Sequence, residues 1–216
     1  MTRDGRTRLV VASANPHKVV EIEEILRGEL GATLELVPRP AEVPDVEETA
    51  DTLEGNARLK AVALQAATGL GALADDSGLE VDALAGAPGV HSARYAGPGA
   101  TAVDNLEKLL GALETSGALD ARARTARFRT VALARLADGR ELASEGVVEG
   151  LIVARARGAG GFGYDPVFEP NEAPGRTFAE LDPGEKHAIS ARGRAFRGLA
   201  LMLRREIDKA RPTDDR

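Results

Sequence analysis

The feature that most constrains this chain is a buried strand that passes directly into a helix near its start. Residues 9–14 (LVVASA) form a short apolar, β-branched run, the pattern of a buried strand. Asn15-Pro16 follows at once, and proline suits an early helical position because its missing N–H is not needed there. Val19, Ile22, Leu26 and Leu30 then recur at helical spacing, and Gly31 ends the helix. A strand that turns tightly into a helix N-terminus is a building block of α/β sheets.

The rest of the chain extends that pattern. A second strand is expected over residues 33–37, then a Pro- and acid-rich loop over 38–50. Residues 52–67 read as a helix with Leu53, Ala57, Ala61 and Leu64 on one face and Asn56 and Lys60 at its edge. Residues 72–74 lead into Asp75-Asp76-Ser77-Gly78, and 79–84 read as a further strand. A Gly/Pro-rich loop over 86–99 precedes a helix at 102–113. Long strands at 127–137 and 140–152 flank Asp138-Gly139, a strong hairpin signal. After a loop-rich stretch at 158–174, a short helix opens at Asp182-Pro183. The terminal helix, 192–209, is expected to turn Phe196, Leu199, Met202, Leu203 and Ile207 inward. Repeats and long linkers are absent, so residues 1–216 read as one α/β domain with a mixed central sheet and flanking helices.

Composition removes several chemistries. With no cysteine there is no disulfide framework, thiol nucleophile or cysteine zinc site, and three scattered histidines do not form a paired zinc motif. The start of the chain is charged with no apolar stretch behind it, and no run reaches the ~18 apolar residues of a membrane span. A soluble cytoplasmic protein is the expectation. A net charge of -6 argues against a dedicated nucleic-acid binder, though a local basic pocket can still hold a small polyanion. Arg122, Arg124, Arg127 and Arg129 read as a solvated or interface face of one strand.

Four constellations carry chemistry. Ser13-Ala14-Asn15-Pro16-His17-Lys18 places polar side chains at a helix N-terminus, either as an anion site or simply as a cap. Of the acidic pairs Glu47-Glu48 and Asp75-Asp76, the first by itself reads as a solvated loop pair, whereas the second offers hard oxygen ligands. The second pair follows a strand-like run, a place where ligands collect in α/β sheets. Magnesium is the metal such a chain best holds. The run 158–166 (GAGGFGYDP) matches G-x-G-x-x-G but opens no helix, so the dinucleotide reading fails on context. It presents Phe162 and Tyr164, either folded back on the core or stacked on a planar base. Thr177 to Glu180, Lys186, Ser190, Arg192 and Arg194 follow closely enough to close over the same ligand.

In order and spacing, these segments resemble the inosine triphosphate (non-canonical purine NTP) pyrophosphatase family. SANPHK is similar to its phosphate-binding turn, EETADTLEGNARLKA to its metal and phosphate segment, and ADDSGLEVDAL to its catalytic segment. GAPGVHSARYAG resembles the loop after it, GFGYDPVF the base-binding loop and TFAELDPGEKHAIS the closing segment. The resemblance implies two lobes around a nucleotide cleft, a homodimer, and hydrolysis of XTP, ITP or dITP to monophosphate and pyrophosphate with Mg²⁺. It implies Asp76 as the catalytic acidic residue and metal ligand, with Glu48 as second ligand. Ser13, Asn15, Lys18, Lys60 and Lys186 would hold phosphates, with Ala14, Pro16 and His17 in the same substrate-binding turn and Ser77 nearby, and Lys18 and Lys60 are expected to point to a common turn. Phe162, Gly163, Tyr164 and Asp165 would embrace the base.

One departure stands out. The family closes on Ser-His-Arg, whereas this chain reads Ser190-Ala191-Arg192, which removes an imidazole from the base's 6-oxo edge. His187 lies four positions earlier. A Maf-like pyrophosphatase is the competing enzyme class, but GFGYDP weighs against it. Serine-hydrolase readings of Ser77 or Ser92 lack a G-x-S-x-G elbow.

Overall fold

The opening strand and helix form as the sequence predicts. The structure, a computed structural model, describes residues 6–13 and 15–209, without the side chain of His17. Strand β1 (Thr7–Val11) leads into helix α1 (Pro16–Leu30), and β2 (Leu34–Val37) returns parallel to β1. Helix α2 (Leu53–Thr68) starts at Thr52, whose side chain accepts the Gly55 N–H, and ends at Gly69 with φ 68°. Strand β3 (Gly71–Val81) then lies parallel to the other side of β1.

The remaining strands are β4 (Pro88–Gly89), antiparallel to β3, and β5 (Thr125–Arg135), β6 (Glu141–Ile152) and β7 (Phe168–Pro170). The hydrogen-bonded order is β2-β1-β3-β5-β6-β7. Parallel pairing around β1 and antiparallel pairing of β6 with β7 make the sheet mixed, as expected. Helices α3 (Ala102–Thr115), α4 (Pro183–Ile189) and α5 (Ala191–Lys209) complete the elements, with capping boxes at Thr101 and Asp182 fixing the starts of α3 and α4.

By internal contacts the chain divides into two compact units. The first comprises Met1–Asp76, Val131–Gly146 and Gly193–Arg216. On one face of its strands, Leu9, Val11 and Leu73 pack with Ile22 and Leu26 of α1 and Phe196, Leu199 and Leu203 of α5. On the other, Val10, Ala12, Ala72 and Ala74 pack with Ala57, Ala61 and Leu64 of α2. Alternate residues of β1 and β3 thus serve alternate layers. Met202 departs from its expected inward place and is 38% exposed, because Leu199, Leu203 and Ile207 hold the buried stripe of α5.

The second unit comprises Ser77–Thr130 and Val147–Arg192. Its core joins Leu79 and Val81 of β3, Leu109 and Leu113 of α3 and Val148 and Ile152 of β6 to Val167 and Phe168. Phe128, Phe168 and Phe178 pack ring against ring, with centroids 4.7, 5.1 and 6.1 Å apart. No helix among the described residues is long and apolar enough to cross a membrane.

Candidate active site

In the first unit the candidate side chains Asp75, Asp76, Lys18, Lys60 and Glu48 meet around the middle of β3. Asp75 and Asp76 are buried there, at 4% and 5% exposure. Sequence alone breaks the strand at this point, because Asp and Gly are poor strand formers. Instead β3 runs unbroken to Val81, so the carboxylates lie inside a strand rather than at its end, and residues 82–84 form a short 3₁₀ turn. The strand survives because each carboxylate finds a cation, without which burying it would cost several kcal/mol.

Strand alternation sends the two carboxylates to opposite faces. Asp75 follows Leu73 toward α1 and pairs with Lys18 at 3.5 Å. Asp76 follows Ala74 toward α2, where Lys60 Nζ lies 2.8 Å from its Oδ1. Each ammonium thus pairs directly with one carboxylate, Lys18 with Asp75 and Lys60 with Asp76.

Lys60 has a second partner, Glu48 Oε1, at 3.0 Å. Glu48 comes from the acidic loop before α2, and Asn56 ties that loop to β3. Fully buried, Asn56 accepts the Ala50 N–H at 2.9 Å and donates to Asp76 Oδ2 at 3.2 Å. The loop lies so close to α2 that a Cβ at Gly55 would fall 2.6 Å from the Ala50 Cβ. Burial pushes the Asp76 carboxyl above its ordinary range; Lys60 and Asn56 oppose that and Glu48 adds to it. Burial also pulls on the Lys60 ammonium, but Asp76, Asp75 and Glu48 outweigh it and hold its pKa above the usual lysine value. Glu47 is exposed.

The turn before α1 is organised as a cap. Asn15 N–H donates to Ser13 Oγ at 3.2 Å, and Lys18 N–H reaches Asn15 Oδ1 at 3.4 Å. Pro16 is the exposed first residue of α1. Ala14 lies outside the described residues, as does the side chain of His17.

The second unit holds the other expected residues. Asp165 is buried and accepts the Phe162 N–H at 2.7 Å and the Lys186 ammonium at 2.6 Å. Burial raises its pKa, opposed by Lys186, that N–H and Arg192. Gly161, at φ 71°, passes so close that a Cβ would collide with the Asp165 carboxylate. Lys186 lies 4.5 Å from the centre of the Phe162 ring, with the Arg192 guanidinium at 5.4 Å. Tyr164 differs: its ring belongs to the core, and its hydroxyl donates to Ser92 O at 2.9 Å. Sequence treats Phe162 and Tyr164 alike; structure leaves Phe162 against cations and makes Tyr164 a support for the loop, with Gly163 between them in open space.

Ser77 and Thr130 share a hydroxyl contact of 2.9 Å, and Arg192 reaches Ser77 Oγ at 3.4 Å. Ala191, at the start of α5, is buried within the apolar cluster, and His187 lies on α4. Arg127 pairs with Asp82 and Glu149 and Arg129 with Glu80, while Arg124 is buried against Ala118 O and Arg122 is exposed. Ser92 is spent structurally, donating to Gly89 O and accepting the Leu79 N–H.

Asn56 is the residue that sequence reasoning undervalued. Its signal was a polar side chain beside the apolar stripe of α2, one turn before Lys60. Asp75 and Thr130 also gain roles that their spacing alone did not assign.

Fold and clusters together define a mixed-sheet α/β protein with a lysine-braced carboxylate centre and a cation-covered aromatic loop. More particularly, the chain belongs to the Ham1 family, whose model matches residues 9–202. It is 46% identical over 202 residues to a dITP/XTP pyrophosphatase of Methylococcus capsulatus, covering 92% of this chain and 97% of that one. A HAM1 protein structure from Coxiella burnetii matches with TM-score 0.82 and 43% identity, over 92% of this chain and 99% of that one. The Staphylococcus aureus Ham1 structure matches with TM-score 0.78 and 36% identity, over 93% and 100%.

Proposed function

We propose that this protein hydrolyses non-canonical purine nucleoside triphosphates (XTP, ITP and dITP) to the monophosphate and pyrophosphate, using Mg²⁺. The observation that carries this reading is the convergence of Glu48 and Asp76 on one ammonium, Lys60. Two hard carboxylates facing one positive charge suit a divalent ion. Among the described residues no group of three His, Cys, Asp or Glu side chains could hold a metal. Mg²⁺ typically takes one or two carboxylates and completes its shell with phosphate oxygens and water.

Glu48 and Asp76 would hold the ion, which supplies charge neutralisation at the phosphates. Asp76 would accept the proton of the attacking water. Its burial favours that task by raising its proton affinity, and Asn56 fixes the direction of its Oδ2. Ser13, Asn15, Lys18, Lys60 and Lys186 would bind phosphates, and Ser77 would contact the substrate. The Phe162 ring, the Asp165-braced loop and Arg192 would take the base, with Tyr164 holding the loop from beneath. Ala191 leaves the base's 6-oxo edge without the usual imidazole. The chain acts as one nucleotide-pyrophosphatase domain, as a homodimer in the cytoplasm, on a small nucleotide rather than on nucleic acid or a membrane.

Pyrophosphate release from a panel of nucleoside triphosphates tests the reading. ITP, dITP and XTP should outpace ATP and GTP, and Asp76→Asn should lose at least ~100-fold while staying folded. Near-normal turnover by folded Asp76→Asn, or a preference for ATP, would overturn it.

A further inference from the structure

Lys60 lies between the two carboxylates read above as metal ligands. Its Nζ lies 3.0 Å from Glu48 Oε1 and 2.8 Å from Asp76 Oδ1, and its side chain is only 16% exposed. Asp76 keeps its other oxygen on Asn56, and Asn56 also holds the loop carrying Glu48 through the Ala50 N–H. Asn56 thus holds Asp76 and the loop that carries Glu48 through bonds that do not involve the ammonium.

We propose that Lys60 is an exchangeable counter-cation, filling the Glu48–Asp76 pair in the nucleotide-free protein and yielding it to a divalent ion when the nucleotide's phosphate takes over the ammonium. The proposal rests on the reading of Glu48 and Asp76 as metal ligands. A lysine ammonium suits the exchange: it is a compact point charge with three donors on a flexible stem, equally able to face carboxylate or phosphate. While it sits between the carboxylates it repels a second cation at the same oxygens. Ion and nucleotide then favour each other's binding, because the phosphate removes the ion's competitor. Lys18 has no such part, since its ammonium serves Asp75 on the opposite face of β3.

Direct Mn²⁺ binding to the nucleotide-free protein, read by electron paramagnetic resonance of the free ion, tests this without turnover. Lys60→Met should tighten Mn²⁺ binding at least about tenfold, the low end for removing a unit charge so close to the ligands. Lys60→Gln should move it the same way and covers a folding failure of the methionine variant. Lys60→Arg keeps the charge and should stay near wild type, and Lys18→Met should tighten binding much less than Lys60→Met. Unchanged or weaker Mn²⁺ binding in Lys60→Met and Lys60→Gln would overturn the proposal. So would equal tightening by Lys18→Met, which would mean that only net charge matters. Asp76→Asn separates the two levels: binding that it abolishes but Lys60→Met fails to tighten overturns the exchange alone. Binding that ignores Asp76→Asn removes the metal site and the exchange with it.

Discussion

Replacing Asn56 by alanine isolates the tie between the acidic loop and β3. The substitution removes a buried amide that accepts the Ala50 N–H at 2.9 Å and donates to Asp76 Oδ2 at 3.2 Å. Each buried polar group left without a partner costs about 1–3 kcal/mol, more when it is charged. Ala50 is only half-buried and falls at the low end, whereas the buried Asp76 falls at the high end. Alanine returns about 0.5 kcal/mol through its helix propensity. The expected net loss is about 2–4 kcal/mol, or a fall in Tm of about 5–12 °C for a chain of this length. The protein has no tryptophan, so far-UV circular dichroism is the suitable melting assay. Turnover should fall as well, because Asp76 loses the donor that fixes its orientation. Asn56→Asp keeps an acceptor for the Ala50 N–H but sets a second buried carboxylate against Asp76, so it should be no more stable than the alanine variant and equally impaired in turnover. A fall in Tm below 2 °C with unchanged turnover would refute the role given to Asn56, since neither hydrogen bond could then matter as described.

Two further substitutions probe the base-side residues. Phe162→Ala should raise KM for ITP about tenfold or more, the scale of losing one stacked base, whereas Tyr164→Phe should chiefly lower Tm by removing the bond to Ser92 O. Equal KM effects for the two would contradict the division between ring and support. Ala191→His should widen the ITP/ATP ratio of kcat/KM by about 1–3 kcal/mol of discrimination while lowering Tm, because Ala191 is packed in the core. An unchanged ratio would show that this position does not read the base, and a ratio that collapses instead in His187→Ala would move the role there.

What was legible in the sequence was what short-range chemistry decides. The apolar run before Asn15-Pro16 announces β1 and α1, and Asp138-Gly139 announces the β5–β6 hairpin, where Gly139 takes φ 87°. The continuity of β3 was hidden because its carboxylates are stabilised by Lys18 and Lys60, distant in sequence, which propensity cannot register. The same distance concealed Asn56, whose partners Ala50 and Asp76 meet only after folding. Phe162 and Tyr164 were indistinguishable because a glycine loop has no periodicity to say which ring turns inward. Met202 was misplaced by a small error of helical phase on α5.

The central claim is cleavage between the α- and β-phosphates of a non-canonical purine triphosphate by an attacking water. Hydrolysis of ITP in ¹⁸O-water with Mg²⁺, followed by ³¹P nuclear magnetic resonance, tests it most directly. Attack at the α-phosphorus should give inosine monophosphate carrying the label, together with unlabelled pyrophosphate, and Asp76→Asn should suppress both products. Inosine diphosphate with orthophosphate, or label in the pyrophosphate, would contradict the claim.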